Sequence, residues 1–290
     1  MRSRISIRSI GFWGMKALQE AQSASVVGIT SQGIFLLVDQ QNVVFLSTQR
    51  FHGPLTANID ALPQHKLKIG QQVDIHLPSI RTSDISFNLP EHIIPWKPEP
   101  FQIPLDALQE IETRMQHLSE IIDKMPAHNQ KRKLFKIAAK RSISIREKKK
   151  MLLEELMSNP ERNETEHNNA IQHFLKQQLG RGNGLTPEGD DLVCGYVLTR
   201  YYQGKLERNA CADLARIARE RTTSLSACMI ECAVEGGADE RVLNALHYLA
   251  DGNGEPEKIT EELLSYGSSS GIATLAGMLL ALYLSEIGSS

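Results

Sequence analysis

Three short runs, SVVGIT (25–30), GIFLLVD (33–39) and NVVFLS (42–47), decide how the first part of the chain folds. Each is rich in β-branched residues, and the turn formers SQG and DQQN separate them, which predicts consecutive strands of a β-meander. Working outward, QVDIHL (72–77) and DISFNL (84–89) add two more alternating segments. Residues 24–88 carry the strand-like material, and the first ninety or so residues are therefore expected to form a small antiparallel sheet or barrel. The stretch LPEHIIPWKPEPFQIPL (89–105) carries prolines at 90, 95, 98, 100 and 104. Each proline lacks a backbone donor, so neither a helix nor a central strand persists there. This divides a β domain at 1–95 from a second domain at 96–290.

The periodicity then changes. Leu105, Leu108, Ile111, Met115, Leu118 and Ile122 follow the three-to-four-residue spacing of a helix face. Further helices are predicted around 131–157, 165–179, 187–203, 209–220, 225–235, 239–250, 256–265 and 271–285, with no strand recurring. The fold class is α+β: a small N-terminal β domain followed by a larger, mostly α-helical one.

The chain has 290 residues, 41% of them hydrophobic, and a formal net charge of −2. Global charge gives no pull toward nucleic acid or anionic membrane, so any attraction for anions is local. The opening MRSRISIRSIGFWGMKALQE lacks the apolar stretch of a secretory signal. The longest apolar run, Gly271 to Leu284, is shorter than the roughly 20 residues that span a bilayer. The expected location is the cytoplasm. Cys194, Cys211, Cys228 and Cys232 form no Cys-x-x-Cys pair and read as core thiols. The basic run at 131–150 contains ten Lys or Arg, but Phe135 is its only aromatic residue and glutamates follow at 154, 155, 161, 164 and 166. It reads as a solvated helix face, with no nucleic-acid partner expected.

The strongest chemical signal is GRGNGLTPEGDDLVCGYVL (180–198). Gly180, Gly182 and Gly184 allow positive φ and close backbone approach, while Thr186 and Pro187 match an N-cap followed by proline in the first helical position. A helix start with exposed N–H groups attracts phosphate or carboxylate. Asp190 and Asp191 stand just inside a helix that is apolar on nearly all sides. At an ordinary helix start such carboxylates merely complement the dipole; beside an anion cradle they can hold Mg²⁺ or bind amide donors of a substrate. The spacing does not choose between these. Two further hydroxyl-rich helix starts follow, at Thr222, Thr223, Ser224 and Ser226, and at Ser268, Ser269 and Ser270 between Gly267 and Gly271. Each suits helix capping or oxyanion binding, and the three are expected to surround one pocket. No Cys/His metal spacing or Walker loop is present in the sequence.

Gly182-x-Gly184-Leu185-Thr186-Pro187-x-Gly189-Asp190-Asp191, then Thr222-Thr223-x-x-Ser226 and Gly267-x-Ser-Ser-Gly271, together resemble the AllH family, a subunit of the oxamate carbamoyltransferase of anaerobic allantoin degradation. The resemblance covers roughly residues 165–285. It implies a carbamoyltransferase that cleaves an oxalurate-like ureido acid with phosphate, giving carbamoyl phosphate and oxamate, together with other subunits. On that basis the substrate and phosphate contacts are Gly182, Asn183, Gly184, Leu185, Thr186, Gly189, Thr222, Ser226, Ser268 and Gly271. Thr223, Ser269 and Ser270 would stabilise the oxyanion, and Asp190 or Asp191 would orient the ureido N–H groups. Two positions depart from the family pattern. Glu188 stands where a small residue is usual, and Ser268 where histidine is frequent, which removes a proton-transfer group. A reading of another class is a non-catalytic subunit or sensor that binds a small carboxylate in the same pocket.

Overall fold

The computed structural model describes residues 3–63, 67–104, 108–124 and 164–284. The helix expected at 131–157 and the basic run at 131–150 lie outside them. Two compact units result, one running to Glu99 and including Gly237–Glu240, the other comprising Pro100–Gly236 and Arg241 onward.

The first unit is a closed barrel of β1 (Ser3–Ile10), β2 (Ser23–Ile29), β3 (Gly33–Val38), β4 (Asn42–Ser47), β5 (Thr56–Ile59), β6 (Gln72–His76), β7 (Ser79–Arg81) and β8 (Ile85–Asn88), with helix α1 (Phe12–Glu20) after the first strand. The strand order is β1-β5-β4-β3-β2-β6-β7-β8. The meander β2–β3–β4 forms as the turn residues predict, with Asp39 and Gln40 at positive φ between β3 and β4. Alternation buries Val26, Ile34, Leu36, Val44 and Leu46 against Ile5, Ile7 and Ile10 of β1. The strand-like material begins earlier than residue 24: β1 lies in the opening segment. Its parallel pairing with β8 joins the two ends of the sheet, and β4·β5 is parallel too. Every other strand pair is antiparallel.

The second unit contains α2 (Leu108–Lys124), α3 (Glu164–Gln178), α4 (Glu188–Tyr202), α5 (Arg208–Arg221), α6 (Ser224–Val234), α7 (Glu240–Asp251, whose first residue belongs to the barrel unit), α8 (Pro256–Ser265) and α9 (Ser270–Leu284). Among the described residues it holds no strand, and no single helix is long and apolar enough to cross a membrane. The central contact is α4 against α9. A Cβ at Gly195 would collide with the Thr274 carbonyl, and one at Gly277 with the Leu192 carbonyl. Two glycines thus let the backbones of α4 and α9 approach closer than any larger residue permits. This crossing brings the starts of both helices to the same end of the unit.

Candidate functional site

The segment 180–191 is built by its glycines and closed by its first aspartate. Gly182 has φ +121°, and a Cβ there would press on the Glu188 amide, so only glycine suits the bend. Asp190 and Asp191 are each 1% exposed. They neighbour in sequence yet meet different surroundings, because successive helical residues point about 100° apart. Asp190 Oδ1 accepts the Gly180 N–H at 2.8 Å, and its Oδ2 accepts the Thr222 hydroxyl. Both oxygens are therefore engaged in tying the first glycine of the loop to the junction of α5 and α6. A carboxylate accepting two such bonds is stable when buried.

Asp191 faces the start of α9. The Ser270 and Thr186 hydroxyls share a hydrogen bond of 3.1 Å and lie beside its carboxyl. Among the described residues no donor reaches its buried Oδ2. Burial pushes the carboxyl up to about 8, against the pull of the Ser270 and Thr186 hydroxyls and with a further push from Asp190 and Glu188. Taking an ionised carboxylate out of water is costly, so the group keeps its proton at neutral pH.

Pro187, not Thr186, occupies the cap position of α4, and no side chain caps that helix. This corrects the expectation of a Thr186 cap with Pro187 in the first turn: the Thr186 hydroxyl is turned to Ser270 instead. The Gly189 amide is also spoken for, donating to the Arg181 carbonyl at 2.8 Å. Asp190 and Asp191 donate their amides to the Pro187 carbonyl. The amides of Gly182 to Thr186, and of Ser268 to Ser270, take no acceptor among the described residues.

Thr223 caps α6, accepting the Ser226 N–H at 3.1 Å and donating to the Leu185 carbonyl at 2.6 Å. Its hydroxyl is occupied at both ends, which leaves Ser269 and Ser270 of the proposed oxyanion set. The Leu185 side chain is exposed, as are Asn183, Gly184, Glu188 and Ser268. Ser226 is 1% exposed, and its Oγ has no partner among the described residues. Gly271, the second residue of α9, donates its amide to the Tyr266 carbonyl. The three helix starts are joined by bonds, Thr186 to Ser270, Leu185 to Thr223, and Asp190 to Thr222. Among the described residues no three His, Cys, Asp or Glu side chains form a metal-binding group. Both Asp190 oxygens accept hydrogen bonds, so holding Mg²⁺ between the two aspartates would require Asp190 to give up one of them.

One positioning residue escaped the sequence reading. Arg241 is buried, donates to the Ser265 carbonyl and hydroxyl at 3.2 Å each, and lies over the Tyr266 ring. It fixes the chain just ahead of Gly267. Nothing in its local spacing marks it, because its partners are more than twenty positions away.

Residues 178–282 match the family described as oxamate carbamoyltransferase subunit AllH. The matched segment spans all three helix starts. No solved structure matches the chain.

Proposed function

From the family match over residues 178–282, we propose that the chain is one subunit of a cytoplasmic carbamoyltransferase complex that acts on an oxalurate-like ureido acid and phosphate. The observation that carries this reading is the tying of three glycine- and hydroxyl-rich helix starts to one another, with the buried Asp191 carboxyl beside two of them holding an unmade hydrogen bond. Helix starts with unpaired amides suit an oxyanion or phosphate. Here the amides of 182–186 and 268–270 supply those donors, and no side chain along the glycines obstructs approach. In this reading the Ser269 hydroxyl stabilises charge on the ureido carbonyl oxygen as phosphate attacks its carbon. Positioning two small anions against each other's repulsion is the main task, and it accounts for a site made of neutral donors.

The test is phosphate-dependent release of oxamate from oxalurate by the complex purified from its own cell through this chain. Stoichiometric carbamoyl phosphate and oxamate are expected. Binding of oxamate or oxalurate without turnover, with all copurifying subunits present, overturns the transfer reading and leaves a carboxylate sensor, which uses the same amides.

A further inference from the structure

Resting on the carbamoyl-transfer reading, we infer that the two adjacent aspartates divide the work: Asp190 is a structural tie, and Asp191 is the buried end of a proton relay that runs outward through Ser270 and Thr186 to the leaving nitrogen. The observations are geometric. Asp191 Oδ2 is buried without a partner, the Ser270 and Thr186 hydroxyls adjoin its carboxyl, and those hydroxyls are 3.1 Å apart. Ser270 is buried and Thr186 half-buried, so the three groups form a path from the interior toward the glycine loop. Asp190 has no such path, because Gly180 and Thr222 hold both its oxygens.

The chemistry requires a proton at this place. A lone pair of a phosphate oxygen forms the C–O bond to the ureido carbon, and the C–N bond breaks with its electron pair on nitrogen. An amide anion is a poor leaving group, so the nitrogen must be protonated as the bond breaks. Thr186 gives its proton to that nitrogen and is refilled by Ser270, which is refilled by Asp191. The proton that HPO₄²⁻ loses on forming the new bond returns along the same hydroxyls to the Asp191 carboxylate. Oxalurate and HPO₄²⁻ thus become oxamate and carbamoyl phosphate with no proton gained or lost. The elevated proton affinity of Asp191 supports this role.

The charged groups around it are few. Asp190 and Glu188 lie on its own helix and both raise its affinity for a proton. Helix α9 carries no charged residue. On α6 the titratable side chains are Cys228, Cys232 and Glu231, the last paired with Arg219. On α3, Lys176 is paired with Asp213, and His173 contacts Gln177.

The test uses the copurified complex and steady-state kinetics on oxalurate. Asp191→Asn should lower kcat by about 10²-fold or more with KM nearly unchanged. It should also abolish a descending limb of the wild-type kcat profile near pH 8. Thr186→Val, which leaves the carboxyl in place, should show the same kcat loss, and Thr186→Ser should restore most of it. A loss confined to KM, an unaltered pH limb in Asp191→Asn, or equal loss in both Thr186 variants overturns the relay while transfer stands. A wild-type complex that makes no carbamoyl phosphate overturns the transfer reading itself, and the relay with it.

Discussion

The barrel and the helix starts of the second unit treat buried polar groups in opposite ways. In the barrel, buried Asn58 accepts from Ser9 at 2.6 Å and donates to the carbonyls of Gln49 and Phe51. Buried Ser79 and Ser86 both donate to Asn88, and Thr82 receives the Ile85 amide. In the helical unit, Asp191 Oδ2 and Ser226 Oγ near the helix starts, and Gln172 Oε1 within α3, are buried with no partner among the described residues. A buried polar atom without a bond costs about 1–3 kcal/mol, so native structures leave few. The barrel is organised for stability. The helix starts carry a cost that a ligand can repay by supplying the missing bonds.

The largest effect is expected where the helical unit has least room. Gly277→Ala drives a methyl into the Leu192 carbonyl at the α4–α9 crossing, and a backbone oxygen cannot step aside as a side chain can. Overpacking here should cost on the order of 3 kcal/mol or more. Limited proteolysis and thermal melting should show the helical unit lost while barrel fragments keep their strand signal. A variant as stable as wild type would mean that the crossing is looser than its geometry indicates.

Next comes the stability of Asp191→Asn, whose sign runs against the usual direction for a buried substitution. The Asp191 carboxyl titrates near 8 in the folded chain and near the ordinary 3.8 when unfolded. Between these values the unfolded chain has released a proton that the folded chain still holds, so stability falls as pH rises. The favourable contribution is whole below about pH 4, is lost progressively to about pH 8, and is constant above that. Its slope is at most about 1.4 kcal/mol per pH unit. Asparagine is neutral throughout and removes the slope. Urea unfolding of both proteins from pH 4 to 9 should show curves close together at the acid end and the variant increasingly more stable above pH 5. A variant less stable at pH 8 than wild type would place an ionised, well-bonded carboxylate at 191.

Asp190→Asn should go the other way and by less. Asn can still accept the Gly180 N–H, but its amide nitrogen cannot accept the Thr222 proton. Losing one charge-assisted bond costs about 1.5–3 kcal/mol, offset in part if Thr222 turns to accept from the new amide. A net loss of roughly 1–2 kcal/mol is expected, measurable by chemical denaturation at pH 7. A gain in stability would erase the distinction between the two aspartates.

Much of this arrangement was legible because its determinants are local. The periods of two and of 3.6 separated barrel from helices, and the helices from α4 to α9 lie within two residues of their expected bounds. The glycines, hydroxyls and paired aspartates marked the site. Strand β1 is hidden because Ser3, Arg4, Ser6 and Arg8 dilute its three isoleucines, and its partners, β5 and β8, lie some fifty to eighty residues away; α1 and the short β5 and β7 are likewise absent from the expectations. The division between Asp190 and Asp191 was illegible for a related reason. Identical neighbours differ only through Gly180, Thr222, Ser270 and Thr186, and no local spacing encodes which partner each side chain finds. The Thr186 cap failed similarly: a hydroxyl can cap its own helix or bond across to another, and Ser270 won.

The smallest effect gives the cleanest contrast, because one substitution applied to two serines should differ in sign. Ser79 in the barrel is buried, donates to Asn88 at 2.9 Å and accepts from Arg81 at 3.3 Å. Ser79→Ala removes both bonds and leaves Asn88 with one donor fewer, so a loss of about 1 kcal/mol is expected. Ser226 is buried just as deeply, but its hydroxyl makes no bond among the described residues. Its part in the cap is the backbone amide, which donates to Thr223 whatever the side chain. Ser226→Ala therefore discards a desolvated hydroxyl and keeps the cap, and alanine has the better helix propensity. The expected change is a gain of a few tenths of a kcal/mol up to about 1 kcal/mol. Paired denaturation curves at one pH resolve the difference between the two variants even where each alone is near the error of the method. If Ser226→Ala loses as much as Ser79→Ala, its hydroxyl has a partner in solution and the contrast narrows to Asp191. If Ser226→Ala is stabilised but weakens oxamate or phosphate binding, its hydroxyl belongs with Asp191 to the groups left unpaired for the ligand.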